Sequence, residues 1–372
     1  MHLLVFTEDF YPSVSGGAHA RWRFAQIATR RGHDVSVVTP RRPNTSAFEF
    51  VDGIEITRPF PAHPRSIPPA SPVSTTTRLF HSGALFAWLQ WWARDRQFDA
   101  VYSASNTLHW VASAFGHQQE IPNISFVGYT PSMRPEAQSR LRLVLERLNF
   151  TYGLADTVFC RLPEIRDLIK RHSDADVRLI HGILNEDRIR GAYTRAQETD
   201  VRSEYAGPDE RLFVFAGRLS EEKNVPGAVK ILSELPPSYR LVVIGDGPER
   251  EAVQRAIETE GMQEQVMMCG QLSHEETLSV IAASDGLLLP SDAESYGAVI
   301  FEGLALGCTV FATPVGILPE IDHPRLHLNS VEKLSDTIQE AQLKQTREID
   351  EETLELYSME RFADQILGAI AT

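Results

Sequence analysis

The sequence predicts an α/β protein made of two doubly wound domains, each a parallel sheet wrapped by helices. Three observations predict it. The chain has 372 residues, which at roughly 100 to 200 residues per domain means two domains and excludes one small module. Short apolar runs rich in Val, Ile and Phe alternate with longer stretches of helical periodicity, the pattern of strand-to-strand crossover units. That alternation fades between about Asn185 and Pro208 and then restarts, so one layout is written twice.

In the first half the expected strands are Leu3 to Thr7, Val35 to Thr39, Ala100 to Ser103, Ile124 to Val127 and Thr157 to Cys160. Between the first two, Ala20, Phe24, Ile27 and Ala28 share one helical face, ended by Gly32. The second half restarts at Leu212 to Ala216 and continues with Leu241 to Ile244, Val266 to Cys269, Leu287 to Leu289 and Thr309 to Ala312. The expected division is an N-terminal domain over 1–185, a linker over 186–207, a C-terminal domain over 208–355 and a closing helix over 356–372 that can pack on either domain. A proline-rich run from Pro59 to Pro72 reads as a long loop.

Composition narrows the partners. Acidic residues outnumber basic ones by 50 to 36, a formal net charge of -14, which opposes any partner held by phosphate neutralisation, nucleic acid above all. Only five of the basic residues are Lys, a pattern shared by salt-adapted surfaces and GC-rich genomes. Cys160, Cys269 and Cys308 are odd in number and far apart, so they read as thiols of a reduced, cytoplasmic compartment rather than a disulfide framework. No apolar run approaches the roughly 20 residues that cross a bilayer, and the N-terminus starts with a strand rather than a cleavable leader.

Three loops carry chemistry. After the first strand, Ser15-Gly16-Gly17 precedes a helix directly; two glycines allow close backbone approach to a ligand, and the helix offers free N–H groups to an anion. Neither a G-x-G-x-x-G fingerprint nor a G-x-x-x-x-G-K-[ST] loop occurs; in Gly245-Asp246-Gly247, Arg250 stands where a third glycine belongs, which disfavours classical NAD enzymes and P-loop NTPases. The loop Gly217 to Asn224 holds Arg218 and Lys223, which can converge on a diphosphate ahead of a helix, although two cations beside two glutamates are more often merely a solvated loop. The third runs from Pro290 to Gly303. Its Glu294 lies in the loop, and its Glu302 sits on a helix among Val299, Ile300, Phe301 and Leu304, where a carboxylate needs donors, from ligand hydroxyls or an internal salt bridge.

These residues resemble the retaining GT-B glycosyltransferases, specifically family 4 of the nucleotide-sugar-dependent enzymes. Glu294 and Glu302 match its paired glutamates, Arg218 and Lys223 its phosphate-binding pair, and Ser15-Gly16-Gly17 its first glycine loop; Val243 to Pro248, Gly270 and Gly307 to Glu320 match further. The resemblance implies two facing Rossmann-like domains with a deep interdomain cleft, and transfer of a sugar with retention, from a nucleoside diphosphate sugar to a hydroxyl acceptor held by the N-terminal domain. It implies Glu294, Arg218 and Lys223 as the catalytic set. Donor binding would fall to Gly16, Gly17, Gly217, Gly270, Tyr296, Gly297, Ala298, Val299 and Glu302, with Glu302 on the ribose and Glu294 on the sugar. No metal and no cofactor beyond the donor substrate is implied; Asp174-Ala175-Asp176 has a metal-like spacing but lies in a polar turn.

Two departures stand out. The His that many relatives carry after the strand ending at Val127 is absent, with Tyr129 the nearest polar substitute; His109 and Asn106 lie in the preceding loop and could face an acceptor. Paired glycines are missing before Pro319-Glu320. The rival functions are a GT-B nucleotide-sugar epimerase and a noncatalytic sugar-nucleotide binder. Residues Arg78 to Arg96 contain Trp88, Trp91 and Trp92, which suggest either a peripheral membrane contact on the cytoplasmic face and a lipid-linked or glycan acceptor, or a helix buried under the sheet.

Overall fold

A computed structural model describes residues 1–13, 15–61, 72–105, 108–128, 130, 132, 140–294, 296–341, 343 and 348–371, with 72–79 described as helix only. The chain divides into two units, 1–182 with 359–372, and 183–358.

Unit 1 runs β1 (His2–Thr7), α1 (Gly16–Arg30), β2 (Asp34–Val38), β3 (Phe48–Val51), β4 (Ile54–Thr57), α2 (Pro72–Trp92), β5 (Ala100–Ala104), α3 (His109–Gln119), β6 (Asn123–Val127), α4 (Arg140–Tyr152), β7 (Thr157–Cys160), α5 (Pro163–Lys170) and β8 (Asp176–Leu179). The strands form one sheet in the order β3-β4-β2-β1-β5-β6-β7-β8, parallel except for β3. Strand β1 shows why both faces are covered. Its Leu3 and Val5 join Phe24, Ile27, Phe362 and Ile366 on one face, while Leu4 and Phe6 join Leu85, Leu89, Val111 and Phe115 on the other. Side chains two apart share a face, so a strand buried on both sides reads as a continuous apolar run.

Sequence reasoning missed the β3–β4 hairpin. Its signal was present: Asp52-Gly53 is flanked by alternating residues, and both turn residues take positive φ, 51° and 80°, as a two-residue hairpin turn of matching twist requires.

Unit 2 begins with α6 (Glu186–Glu198) and continues with β9 (Arg211–Ala216), α7 (Val225–Ser233), β10 (Tyr239–Ile244), α8 (Arg250–Thr259), β11 (Val266–Gly270), α9 (His274–Ala283), β12 (Gly286–Leu289), α10 (Ala298–Ala305), β13 (Thr309–Ala312), β14 (Leu326–Leu328), α11 (Leu334–Glu340) and α12 (Glu351–Leu356). All six strands are parallel, ordered β11-β10-β9-β12-β13-β14. The last helix, α13 (Met359–Ala371), returns to unit 1 and packs against α1.

The segment expected as a linker is a correction. Residues 186–198 are the helix α6, capped by the Asn185 side chain accepting from the Arg188 N–H, and it packs on α9 inside unit 2. Only Ile189 and Ala192 of α6 are buried, too narrow an apolar stripe for periodicity to reveal. The first and second passages of the chain between the units run side by side, with the N–H groups of Ile183 and Leu184 donating to the Tyr357 carbonyl at 2.9 and 3.0 Å.

Candidate active site

In open α/β sheets ligands bind outside the carboxyl ends of the strands where the strand order reverses. In unit 2 that point lies between β9 and β12, so the loops after these strands define the candidate site. They are the loops that carry Arg218, Lys223 and Glu294.

The β9 loop is held from behind by the β10 loop. Gly217 N–H donates to the Ile244 carbonyl (3.0 Å), Leu219 N–H to Asp246 (3.1 Å) and Glu249 N–H to Leu219 (2.9 Å). The approach is close enough that a Cβ on Gly245, whose φ is 134°, would lie 1.8 Å from the Gly217 carbonyl oxygen. This is the physical reason for Gly245-Asp246-Gly247: contact between two loops, with no need of a dinucleotide. Gly270 belongs to the same support, its carbonyl accepting from Gly245 N–H at 2.7 Å. On the loop so fixed, Arg218 is exposed. Lys223 ends a short 3-10 turn, after which Asn224 caps α7 by accepting from Gly227 N–H.

The β12 loop meets that turn through the Asp292 N–H, which donates to the Glu222 carbonyl at 2.9 Å. The Lys223 ammonium then donates to both carboxylate oxygens of Glu294, 2.6 Å to Oε1. Both side chains are largely buried, 21% and 13% exposed, so the pair is worth more than a surface ion pair, and losing one member strands the other. Gly297, at φ 68°, starts α10, with Ala298 and Val299 in its first turn. The first-turn N–H groups of a helix have no intrahelical acceptor and favour an anion. Tyr296 faces inward, its ring stacked 4.9 Å from that of Phe301, so its side chain supports the turn.

Glu302, one turn further, is 13% exposed and accepts from His274 Nε2 at 2.8 Å. His274 Nδ1 in turn accepts from Arg188 at 3.0 Å. Sequence reasoning missed both His274 and Arg188. Arg188 lay in the expected linker; His274 follows Ser273 in a capping box with Glu276, a signal that places it at a helix start but does not say what it faces.

In unit 1 the strand order reverses between β1 and β5. Gly16 and Gly17 open α1 there, with Ser15 accepting from Ala18 N–H at 3.1 Å and donating to Asp9. His109 starts α3 after β5, fully buried, with Nδ1 at 2.6 Å from the Ser103 hydroxyl and Nε2 without a partner. Burial pushes its pKa down to about 3, so the ring is neutral. Tyr129 and Asn106 lie outside the described residues, as do 62–71 of the proline-rich run.

The tryptophans of α2 divide. Leu85 and Leu89 are buried; Trp88 and Trp92 stack on each other at 5.2 Å and pack against that core. Trp91 and Phe80 are 65% and 76% exposed. Among the described residues no group of three or more His, Cys, Asp or Glu could hold a metal ion, and no helix is long and apolar enough to cross a membrane. Asp176 is paired with Arg178. A hollow lined by Tyr205, Glu210, Arg240 and Met267 lies at the amino ends of β10 and β11, away from these loops, with Arg240 tied to Glu210.

Residues 15–182 match the family described as glycosyl transferase 4-like domain, and residues 196–342 match glycosyl transferases group 1. The alpha-D-kanosaminyltransferase of Streptomyces kanamyceticus is 29% identical over 157 residues, 41% of each chain. One polypeptide of the human phosphatidylinositol N-acetylglucosaminyltransferase is 22% identical over 330 residues, 86% of this chain and 63% of that one. The chain thus spans less than two thirds of the length of these relatives. Among solved structures, Anabaena HepE in complex with UDP shares the fold with a TM-score of 0.67 at 16% identity, with complete coverage of both chains.

Proposed function

Because the chain belongs to the GT-B glycosyltransferases of the family 4 type, we propose that unit 2 binds a nucleoside diphosphate sugar and that the protein transfers a hexosyl group, with retention and without a metal, to a hydroxyl acceptor. The observation that carries this reading is the meeting of Lys223 and Glu294, from two loops, beside the first turn of α10 at the reversal of strand order. In the reaction the bond between the anomeric carbon and the diphosphate oxygen breaks, a bond to the acceptor oxygen forms on the same face, and the acceptor proton passes to the leaving phosphate. Lys223, Arg218 and the N–H groups of Ala298 and Val299 stabilise the departing charge, as preorganised cations and dipoles do. Glu294 takes sugar hydroxyls once Lys223 turns to the phosphate, and Glu302 takes the ribose. The HepE complex with UDP supports the choice of ligand class.

Product analysis after incubation with a panel of nucleoside diphosphate sugars and candidate acceptors tests the reading. A transferase makes a new glycoside, with the donor's anomeric configuration and in the presence of EDTA. An epimerase makes only a new nucleotide sugar, and a binder makes nothing.

For the acceptor we favour a lipid-linked hydroxyl at the cytoplasmic face of an anionic membrane. The human relative's name specifies phosphatidylinositol. Helix α4 exposes Leu141, Val144, Leu148 and Tyr152 together with Arg140 and Arg147, and neighbouring α2 exposes Phe80, Ala87 and Trp91. Apolar side chains with flanking arginines suit a headgroup interface, although the net charge of -14 limits attraction to this patch and salt screens it within about 10 Å at 0.1 M. Flotation with anionic liposomes checks it. Wild type should float, and a Val144→Glu/Leu148→Glu variant with an unchanged melting temperature should not. Wild type left at the bottom of the gradient means a soluble acceptor.

A further inference from the structure

We infer that His274 and Arg188 form a relay that orients Glu302 toward the donor nucleotide, making His274 a positioning residue for donor binding. The inference rests on the reading of Glu302 as the ribose acceptor and adds two residues from outside the matched motifs.

The tautomer follows from the contacts. A guanidinium can only donate, so the 3.0 Å contact from Arg188 Nη1 makes His274 Nδ1 an acceptor. The ring proton therefore sits on Nε2, which donates to Glu302 Oε1 at 2.8 Å. The arrangement has the logic of a second group fixing the tautomer and orientation of a histidine that acts on a third. It occupies one lone pair of Oε1. The remaining sites of the carboxylate can accept from two ligand hydroxyls at once, which a cis-diol supplies and a lone hydroxyl does not.

The three elements involved give each contact its direction. Arg188 stands one turn into α6 behind the Asn185 cap, His274 opens α9 behind the Ser273 cap, and Glu302 lies in the middle of α10. Helices α6 and α10 each pack on α9, so the relay runs across packed helices rather than through free loops. Neighbouring charges are already engaged elsewhere: Arg195 pairs with Glu275 at 3.5 Å, and Glu276 closes the Ser273 capping box. Glu302 is mostly buried while His274 is 44% exposed, so the histidine is the side open to solvent and to a ligand's edge. A carboxylate so placed without a donor would rotate or recruit water, and the cost would appear as weaker nucleotide binding rather than slower chemistry.

The test titrates UDP, ADP, GDP and CDP into the full chain by calorimetry, and measures donor KM and kcat with the corresponding sugar nucleotide. Variants are His274→Ala, His274→Gln, Arg188→Ala and Glu302→Ala. The Gln amide nitrogen reaches about as far as Nε2 and still donates to Glu302. The expected result is affinity for the nucleotide about 10-fold weaker in His274→Ala, near wild type in His274→Gln, and intermediate in Arg188→Ala, with the change in KM and kcat within about twofold. A purely structural contact would instead lower the melting temperature of both His274 variants alike and leave affinity unchanged; that outcome overturns the inference. If Glu302→Ala binds as well as wild type, or none of the four nucleotides binds at all, the ribose reading fails and the relay with it. If Glu302→Ala weakens binding and His274→Ala does not, the relay alone fails.

Discussion

The two units share a topology and put different chemistry at the same place in it. At its reversal of strand order unit 2 sets ions: Lys223 against Glu294, exposed Arg218, and Glu302 held by His274. Around the carboxyl ends of β1 and β5, unit 1 sets two glycines, the hydroxyls of Ser103 and Ser125 and a neutral His109. Of the charged groups there, Asp9 and Arg42 neutralise each other at 2.6 Å, and Arg21 lies beside Gly17. On our reading a diphosphate demands fixed charge and an acceptor hydroxyl demands shape, so the donor side was bound to be the more legible of the two.

The largest expected effects test unit 2. Lys223→Ala removes the cation and strands a carboxylate, and should lower turnover on the order of 100-fold; Arg218→Ala should lower turnover, and Glu302→Ala donor affinity, by roughly 10- to 150-fold each, from charge-assisted bonds of about 1.5 to 3 kcal/mol. In a double-mutant cycle the Lys223 and Glu294 losses should be clearly less than additive, because each change removes the same pair. Additive losses would mean the contact between them is incidental.

Next is a backbone test of the same site. Gly245→Ala forces a methyl into the Gly217 carbonyl at a positive φ, and should destabilise unit 2 by more than about 3 kcal/mol, read as a loss of the urea midpoint. In unit 1 the matching change is Arg58→Ala. Arg58 is 1% exposed, 2.6 Å from a Glu49 carboxylate oxygen though poorly angled for a hydrogen bond, and donates to the Tyr11 carbonyl at 2.6 Å. Its loss should destabilise by about 3 to 5 kcal/mol, while nucleotide binding measured below the melting point stays near wild type.

A last test separates the units by pH, through a slope rather than a midpoint. Because burial holds His109 near 3 against an ordinary value of about 6.5, the unfolded chain takes up a proton that the folded one refuses. The stability from keeping the ring neutral is fully present above pH 6.5 and drains away as pH falls toward 3, by up to about 1.4 kcal/mol per pH unit. His109→Gln should flatten that slope in chemical unfolding of unit 1; an unchanged slope would assign it to other groups, of which His181, also lowered by burial, is one.

Legibility followed the physics of each element. Continuous apolar strands such as Leu3 to Thr7 and Leu212 to Ala216 announced both sheets, because a strand buried on two faces needs apolar side chains at every position. Helix α6 escaped because it needs only Ile189 and Ala192 to dock, and the hairpin at Asp52-Gly53 escaped although its turn chemistry was written plainly. At the candidate site, Glu302 drew attention through its apolar neighbours, and Lys223 and Glu294 were singled out mainly through the family resemblance. His274 and Arg188 were not, since a contact across three helices leaves no periodicity in any one of them.

The central claim, that the charged loops of unit 2 bind the donor diphosphate, is tested most directly by the affinity of wild type and Lys223→Ala for nucleoside diphosphates, titrated in EDTA. Wild type should bind without a divalent cation, with affinity about 10- to 150-fold weaker in the variant. Equal affinity in the two proteins, or wild-type binding that appears only when magnesium or manganese is restored, would contradict it.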